Sequence, residues 1–253
     1  MRCFKMIFNS FVVTISLVVL FSLGAFADNL PSHAVLQGVL RAVVKENNGG
    51  FGFHMWATLT DRDGVVKVVV FSGKDRGDQW PGSRVISAQK ANTANAFSLP
   101  EFALSTANLF SAVQPGGSLF GLQESNPVSP EAAYQGPSEK FGTEKDPMVG
   151  HRIGGVNVFG GGLALYNSEG KIVGALGVSG DTSCADHNIA WKVRHGLNLD
   201  YVPAGVSPST DDNIVYDITN GISAGGWGHP QCSLEAAKIA QEFPKTHPVR
   251  KKK

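Results

Sequence analysis

The sequence predicts an α+β domain: a single antiparallel sheet of about five strands, built from two hairpins and flanked by helices. Three observations carry this expectation. Strand-like apolar runs occur in pairs, Phe53 to Leu59 with Val65 to Phe71, then Leu163 to Tyr166 with Lys171 to Val178. A short polar turn ending in glycine joins each pair, Asp61-Arg62-Asp63-Gly64 and Asn167-Ser168-Glu169-Gly170. Both hairpins close on Ser-Gly, at Ser72-Gly73 and Ser179-Gly180, and lead towards a helix. This is a weak internal echo rather than a repeat array.

The chain opens on a processing signal. Arg2 and Lys5 form a positive start, Ile7 to Phe26 is almost wholly apolar, and Ala25-Phe26-Ala27 is a small-x-small cleavage box. A membrane anchor is the competing reading of that apolar run. The polar Asp28-Asn29-Leu30-Pro31 that follows favours a cleaved signal peptide over residues 1–27. No later apolar run is long enough to cross a bilayer. The expected product therefore has no membrane span after cleavage and is periplasmic or secreted.

Residues 28–202 then form the domain, with an insertion at about 114–153, and residues 203–253 a C-terminal extension. Ser32 can cap a helix from His33 to Lys45, with Leu36, Val39, Leu40 and Val43 at helical spacing, ended by Asn47-Asn48-Gly49-Gly50. A second helix, 83–97, starts at Ser83 and carries Ala88, Ala91 and Ala94 on one side, small enough for close approach to a sheet. Ser98 with Glu101, and Ser183 with Asp186, read as capping boxes, the latter opening a helix over 184–197. The 114–153 stretch is rich in Pro, Gly and Ser without a sustained period. In the extension, a short helix from Leu234 to Phe243 is stopped by Pro244.

Losing residues 1–27 removes Arg2 and Lys5 and no acid, so 22 basic residues become 20 against 21 acidic ones, a net charge of −1. Such a chain offers no electrostatic case for nucleic acid. Cys3 leaves with the signal, so Cys184 and Cys232 remain. In an oxidising compartment an even pair suggests a disulfide, with free thiols or thiolate metal ligands as alternatives.

The run KIVGALGVSGDTSCADHNIA at 171–190 is the most informative in the chain. With GSRVISAQKANTANAFSLPEF at 82–102, the 61–64 turn and the glycines Gly154-Gly155 and Gly160-Gly161-Gly162, it resembles the GlcG/HbpS family over roughly residues 31–200. The C-terminal domain of PduO is similar. The resemblance implies a GlcG/HbpS-like α/β sandwich and haem or a related tetrapyrrole as ligand. It also implies a homo-oligomer acting as carrier, sensor or accessory factor. An enzyme acting on haem or a small oxidised metabolite is the second reading, and a non-catalytic oligomeric partner of another exported protein the third.

Histidine is the natural ligand type for haem iron. His54, His151, His187, His195 and His229 are available beyond the first helix. On the 184–197 helix, Ile189, Val193 and Leu197 make a buried stripe, which leaves His187, Trp191, Arg194 and His195 on the opposite side. That side reads as polar surface, or as a subunit face where His187 or Trp191 meets a haem edge. His187 and His195 stand about 12 Å apart along such a helix, too far to share one metal ion. His151 closes the insertion beside Arg152, which with Arg76 can supply cations for haem propionates. The expected cofactor-binding set is His151, His187, Arg76, Arg152 and Trp191, with His151 and His187 as the metal ligands. Gly177-Val178-Ser179-Gly180-Asp181 fails as a nucleophile elbow, because Asp181 stands where the tight turn needs glycine. Gly160-Gly161-Gly162 lies among strand-like residues and predicts a bulge or close backbone approach rather than a phosphate cradle.

Overall fold

The computed structural model describes residues 30–252, so the predicted signal peptide lies outside the described residues. Its elements are α1 (His33–Val44), β1 (Trp56–Asp61), β2 (Val66–Phe71), α2 (Ser83–Ala96), the short helices α3 (Leu122–Ser125) and α4 (Pro130–Tyr134), β3 (Gly162–Tyr166), β4 (Ile172–Ser179) and α5 (Ser183–Gly196). A two-residue pair, β5 (Ile218–Thr219) and β6 (Ile222–Ser223), and the helix α6 (Leu234–Thr246) complete the chain.

The two predicted hairpins form one antiparallel sheet in the order β2-β1-β4-β3. They join along β1 and β4, which sets Trp56 opposite Ser179 and Asp61 opposite Gly174. Among the described residues the main sheet has four strands rather than about five. At the β3 edge, the segment after α5 makes only one bridge, Asp200 with Tyr166, and then turns away. Gly64 and Gly170 hold φ of 74° and 73° in the hairpin turns, a region costly for any residue with a Cβ.

The sheet faces differ in side-chain size, and this sorts the helices. Ala57, Leu59, Val68, Val70, Leu163, Leu165, Leu176 and Val178 pack with Leu36 and Leu40 of α1 and Ile189 and Val193 of α5. Each fully buried aliphatic side chain of this kind contributes about 1.5–3 kcal/mol. The other face is small at its centre, with Thr58, Ala164, Ala175 and Gly177, and takes α2 there at close range: a Cβ on Gly177 would fall 1.9 Å from the Ser87 carbonyl. Towards one edge of that face, Trp56, Val69 and Phe71 pack with Val85 and Ala88. Gly160, Gly161 and Gly162 make the close backbone approach expected of them. Added Cβ atoms there would strike Ser183 O, Val178 O and the Thr106 side chain.

The 114–153 stretch is a packed lobe. Asp146, buried, pairs with buried Arg84 of α2, whose Nη1 also donates to Ala133 O at 3.0 Å. Ser129 caps α4 with Pro130 in its first turn. Ser98 opens no helix; its hydroxyl donates to Leu104 O and accepts from Leu104 N, so the would-be cap closes a turn instead. Thr182, one residue before the expected cap, caps α5 by accepting from Ala185 N.

The C-terminal extension changes the outer helical layer. α6 runs through Pro244, which lacks the N–H that would bond Ala240 O. Asn213 Nδ2 donates to that carbonyl at 2.8 Å, so the proline is accommodated in the last turn. α6 lies on α5, with Phe243 stacked on Trp191 at 5.3 Å. The α5 side predicted to be polar surface or subunit contact is therefore covered by the chain itself. His187, Trp191 and Arg194 are buried, and only His195 keeps partial exposure. Cys184 and Cys232 form a disulfide that pins the extension to the start of α5.

Candidate functional site

Three large aromatic residues stand out in solvent together. Phe51, Phe53 and Trp80 are 69%, 41% and 52% exposed. Phe51 stacks on Phe53 at 5.4 Å, and Phe53 meets Trp80 edge-on at 5.4 Å. A contiguous exposed patch of this kind marks an interaction site far better than scattered single residues do. The ledge sits where the chain enters β1 and leaves β4. His54 lies at its root, and Lys74 and Arg76 are exposed on the loop that follows β2.

Two buried-side anchors build the ledge. The Asp181 carboxylate accepts backbone N–H bonds from Phe51 (2.9 Å), Gly52 (2.9 Å) and Phe53 (3.3 Å). Charge-assisted bonds of this type fix a loop that has little packing of its own. Gln79, 7% exposed, donates to the carbonyls of His54 and Gly180 (2.8 Å to the latter) and accepts from Trp80 N at 2.7 Å. One side chain thus clamps both arms of the ledge to the end of β4. Ser72 Oγ accepts from Met55 N at 2.8 Å and meets His54 Nδ1 at 3.2 Å. With Nδ1 as donor to Ser72, His54 Nε2 carries a lone pair and has no partner among the described residues.

The anchors continue inward. Asp181 N donates to Asp186 Oδ1 at 2.9 Å, and Asp186 Oδ2 accepts from Lys90 Nζ at 2.7 Å. Both members of that pair are buried, and burial raises the Asp186 carboxyl to about 6 in spite of Lys90. Deeper still, Arg194 makes a two-pronged pair with Asp212 at 2.6 and 2.7 Å and donates to Ala164 O at 3.0 Å. Breaking either pair by removing one partner would leave an uncompensated buried charge.

The residues singled out from the sequence are dispersed. His187 Nε2 accepts from Ile214 N at 3.1 Å and lies 3.1 Å from Asn213 Oδ1, while its Nδ1 is buried without a partner among the described residues. Burial lowers its pKa to about 3. Trp191 Nε1 donates to His247 O at 2.9 Å, and the rings of His187 and Trp191 lie 6.0 Å apart. These two lie together in the interior under α6. The physical reason is the extension, whose residues bury a face that periodicity alone leaves open. His151 and Arg152 are exposed at the turn end of the β1–β2 hairpin, where Arg152 Nε donates to Asp63 O at 2.7 Å. Arg76 is exposed near the opposite end, in a turn capped by Asp75. Phe51, Phe53, His54 and Trp80 are all outside the predicted set, and His54 figures in the sequence reading only among the available histidines. The ledge's sequence signal was available in Phe51-Gly52-Phe53-His54, an aromatic pair beside a histidine after a glycine run.

With the fold and this geometry in view, the comparisons place the class of protein. The family described as haem degrading protein HbpS-like matches residues 33–194. The chain belongs to that HbpS-like family. Among solved structures, the Klebsiella pneumoniae protein ORFY is 24% identical, covering 66% of this chain and 90% of that one, with a TM-score of 0.43. The PduOC:heme complex is also 24% identical, covering 67% and 96%, with a TM-score of 0.45. No curated protein sequence matches it. The family match spans α1 to α5 and stops before Asp212, Asn213 and α6.

Proposed function

We propose that the protein is exported and binds haem or a related tetrapyrrole, with the aromatic ledge as the docking surface. Membership of a family described as haem degrading carries the choice of ligand. The residues present fit the group. Haem asks for an apolar slot, a strong axial ligand and cations for its propionates. Phe51, Phe53 and Trp80 offer flat apolar surface, His54 an unpartnered ring nitrogen, and Lys74 and Arg76 exposed positive charge. Bound haem would supply redox chemistry at its iron, and the chain's part is to orient the macrocycle and hold its charged edge. The start of the sequence and the Cys184–Cys232 disulfide support an oxidising compartment. No helix among the described residues is long and apolar enough to cross a membrane.

A role as carrier, sensor or accessory factor is the reading we adopt. Haem breakdown is the second reading, favoured by the family's own description. Haemin titration of the mature protein, followed in the Soret region, tests the first. Saturable binding is expected, with Phe53→Ala/Trp80→Ala weakening it by more than about tenfold, or about 1.4 kcal/mol. His54→Ala should shift the Soret maximum. A shift on His151→Ala instead would move the iron ligand to the far end of the hairpin. Wild-type titrations in all three variants would remove the ledge from the proposal. Loss of the Soret band on adding a reductant and oxygen separates breakdown from storage. A change of oligomeric state in the ledge variant, with haem affinity intact, would reassign the ledge to subunit contact.

A further inference from the structure

The disulfide corner holds a second set of ligand atoms. Cys184, Cys232 and His229 each place a potential metal ligand within 4.8 Å of the other two. His229 is 2% exposed, and its Nδ1 bonds the Pro230 carbonyl at 2.7 Å, so Nδ1 carries the proton. Its Nε2 is left buried with a lone pair and no partner among the described residues, an uncommon condition for an interior polar atom.

The sulfurs are also prepared for negative charge. Cys184 N donates to Cys232 Sγ at 3.2 Å, and Cys232 N donates to Cys184 Sγ at 3.1 Å. Cys184 sits in the first turn of α5, where the helix end stabilises a thiolate. The two sulfurs differ in access: Cys184 is buried, whereas Cys232 is exposed and open to attack.

We propose that reduction of Cys184–Cys232 converts this corner into a two-cysteine, one-histidine site for a thiophilic d10 cation, zinc or cuprous ion. The reductant is a thiol or dithiol. Its thiolate attacks Cys232 Sγ and Cys184 leaves as thiolate; a second thiol then releases Cys232, so two electrons enter and an external disulfide leaves. The Cys232 thiol gives up its proton when the cation binds, and His229 ligates as neutral imidazole. Metal–sulfur bonds of about 2.3 Å and a metal–nitrogen bond of about 2.0 Å set ligand separations near 3.5–4 Å, within reach of side-chain rotation here. Ser183, whose hydroxyl lies 3.5 Å from Cys232 Sγ, or water can complete the coordination. The cation would replace the disulfide as the clasp between α5 and the C-terminal extension. The inference is independent of haem binding.

The test is a cobalt(II) titration of the mature protein, oxidised and after phosphine reduction, followed by displacement with zinc. Cobalt serves as the coloured probe of the zinc site. The reduced protein should gain thiolate-to-cobalt charge-transfer absorption that saturates at one ion per chain, and the oxidised protein should not. In the reduced protein, His229→Ala should weaken binding by more than about tenfold, since even supporting residues around a metal are worth that much. Equal cobalt absorption in oxidised and reduced protein, or undiminished affinity in reduced His229→Ala, would overturn the site. If the reduced protein unfolds, zinc should restore its circular dichroism, and failure to do so counts equally against the proposal.

Discussion

The carboxylate of Asp181, at the end of β4, accepts the amide of Phe51 at 2.9 Å across 130 residues of chain. The same carboxylate takes Gly52 N and Phe53 N, so the aromatic ledge hangs from one side chain. Asp181→Ala should therefore free the 51–53 segment while leaving the sheet in place. The expected stability loss is about 1–2 kcal/mol, because the released amides can turn to water. Haemin affinity should fall more than stability does, since an unanchored ledge must be ordered on binding. Hydrogen exchange at Phe51, Gly52 and Phe53 reads this directly, and unchanged protection would show that the clasp is redundant.

Gly177 is the tightest point between sheet and helix. A Cβ there would stand 1.9 Å from Ser87 O and 2.5 Å from Ala91 N, both backbone atoms of α2. Backbone cannot rotate aside as a side chain can, so Gly177→Ala should destabilise by about 3 kcal/mol or more. Gly170→Val is the milder companion, because its φ of 73° costs about 1–2 kcal/mol with a side chain while the neighbouring Lys252 can move. Denaturant midpoints rank the two. A smaller loss for Gly177→Ala than for Gly170→Val would mean that α2 can retreat from the sheet.

The hairpins, α1, α2 and α5 were legible in the sequence because each rests on local signals: alternation, turn glycines and helical spacing. The misses are long-range. Ser98 has the spacing of a cap, but its hydroxyl is drawn to Leu104, and Ala103 N bonds Ala204 O in the extension. Pro244 reads as a stop because the donor that replaces its missing N–H, Asn213, is remote in sequence. His187 reads as surface because Phe243 and its neighbours, which bury that side of α5, follow the helix by some fifty residues. The ledge depends on Asp181 and Gln79, neither of which advertises a role before the fold brings it to His54 and Phe53.

The Cys184–Cys232 bridge closes a separation of 48 residues. In the chain-entropy account a loop of that length is worth roughly 4 kcal/mol. Cys184→Ser/Cys232→Ser should then lower the melting temperature by roughly 8–16 °C for a domain of this size. The loss should be local first: α6 rests on α5, so cleavage by protease within residues 203–253 should precede cleavage of the sheet. Native, unreduced protein should show no reactive thiol. Reactive thiols in that material, or a double variant as stable as wild type, would deny the bridge its structural part.

His187 couples stability to pH. Burial holds its imidazole at about 3, against an ordinary value near 6.5, so the unfolded chain takes up a proton that the folded protein refuses. Its contribution is complete above about pH 6.5 and is lost as pH falls. His229, lowered by burial to about 4, behaves the same way, and His247 is shifted in the same direction. Asp186 opposes them: with its carboxyl raised to about 6, the folded protein binds that proton first, and stability is gained as pH falls from 6 towards 4. Asp211, raised chiefly by burial, acts with Asp186. The imidazoles prevail between pH 6.5 and 5, with a net loss of about 2 kcal/mol in the oxidised protein. His187→Asn keeps a side chain able to accept from Ile214 N but cannot titrate, so it should remove about half of the imidazole share of that loss. Urea midpoints at the two pH values decide the matter. Stability that does not change between them, or a His187→Asn variant as acid-sensitive as wild type, would show that the ring escapes its burial at no cost.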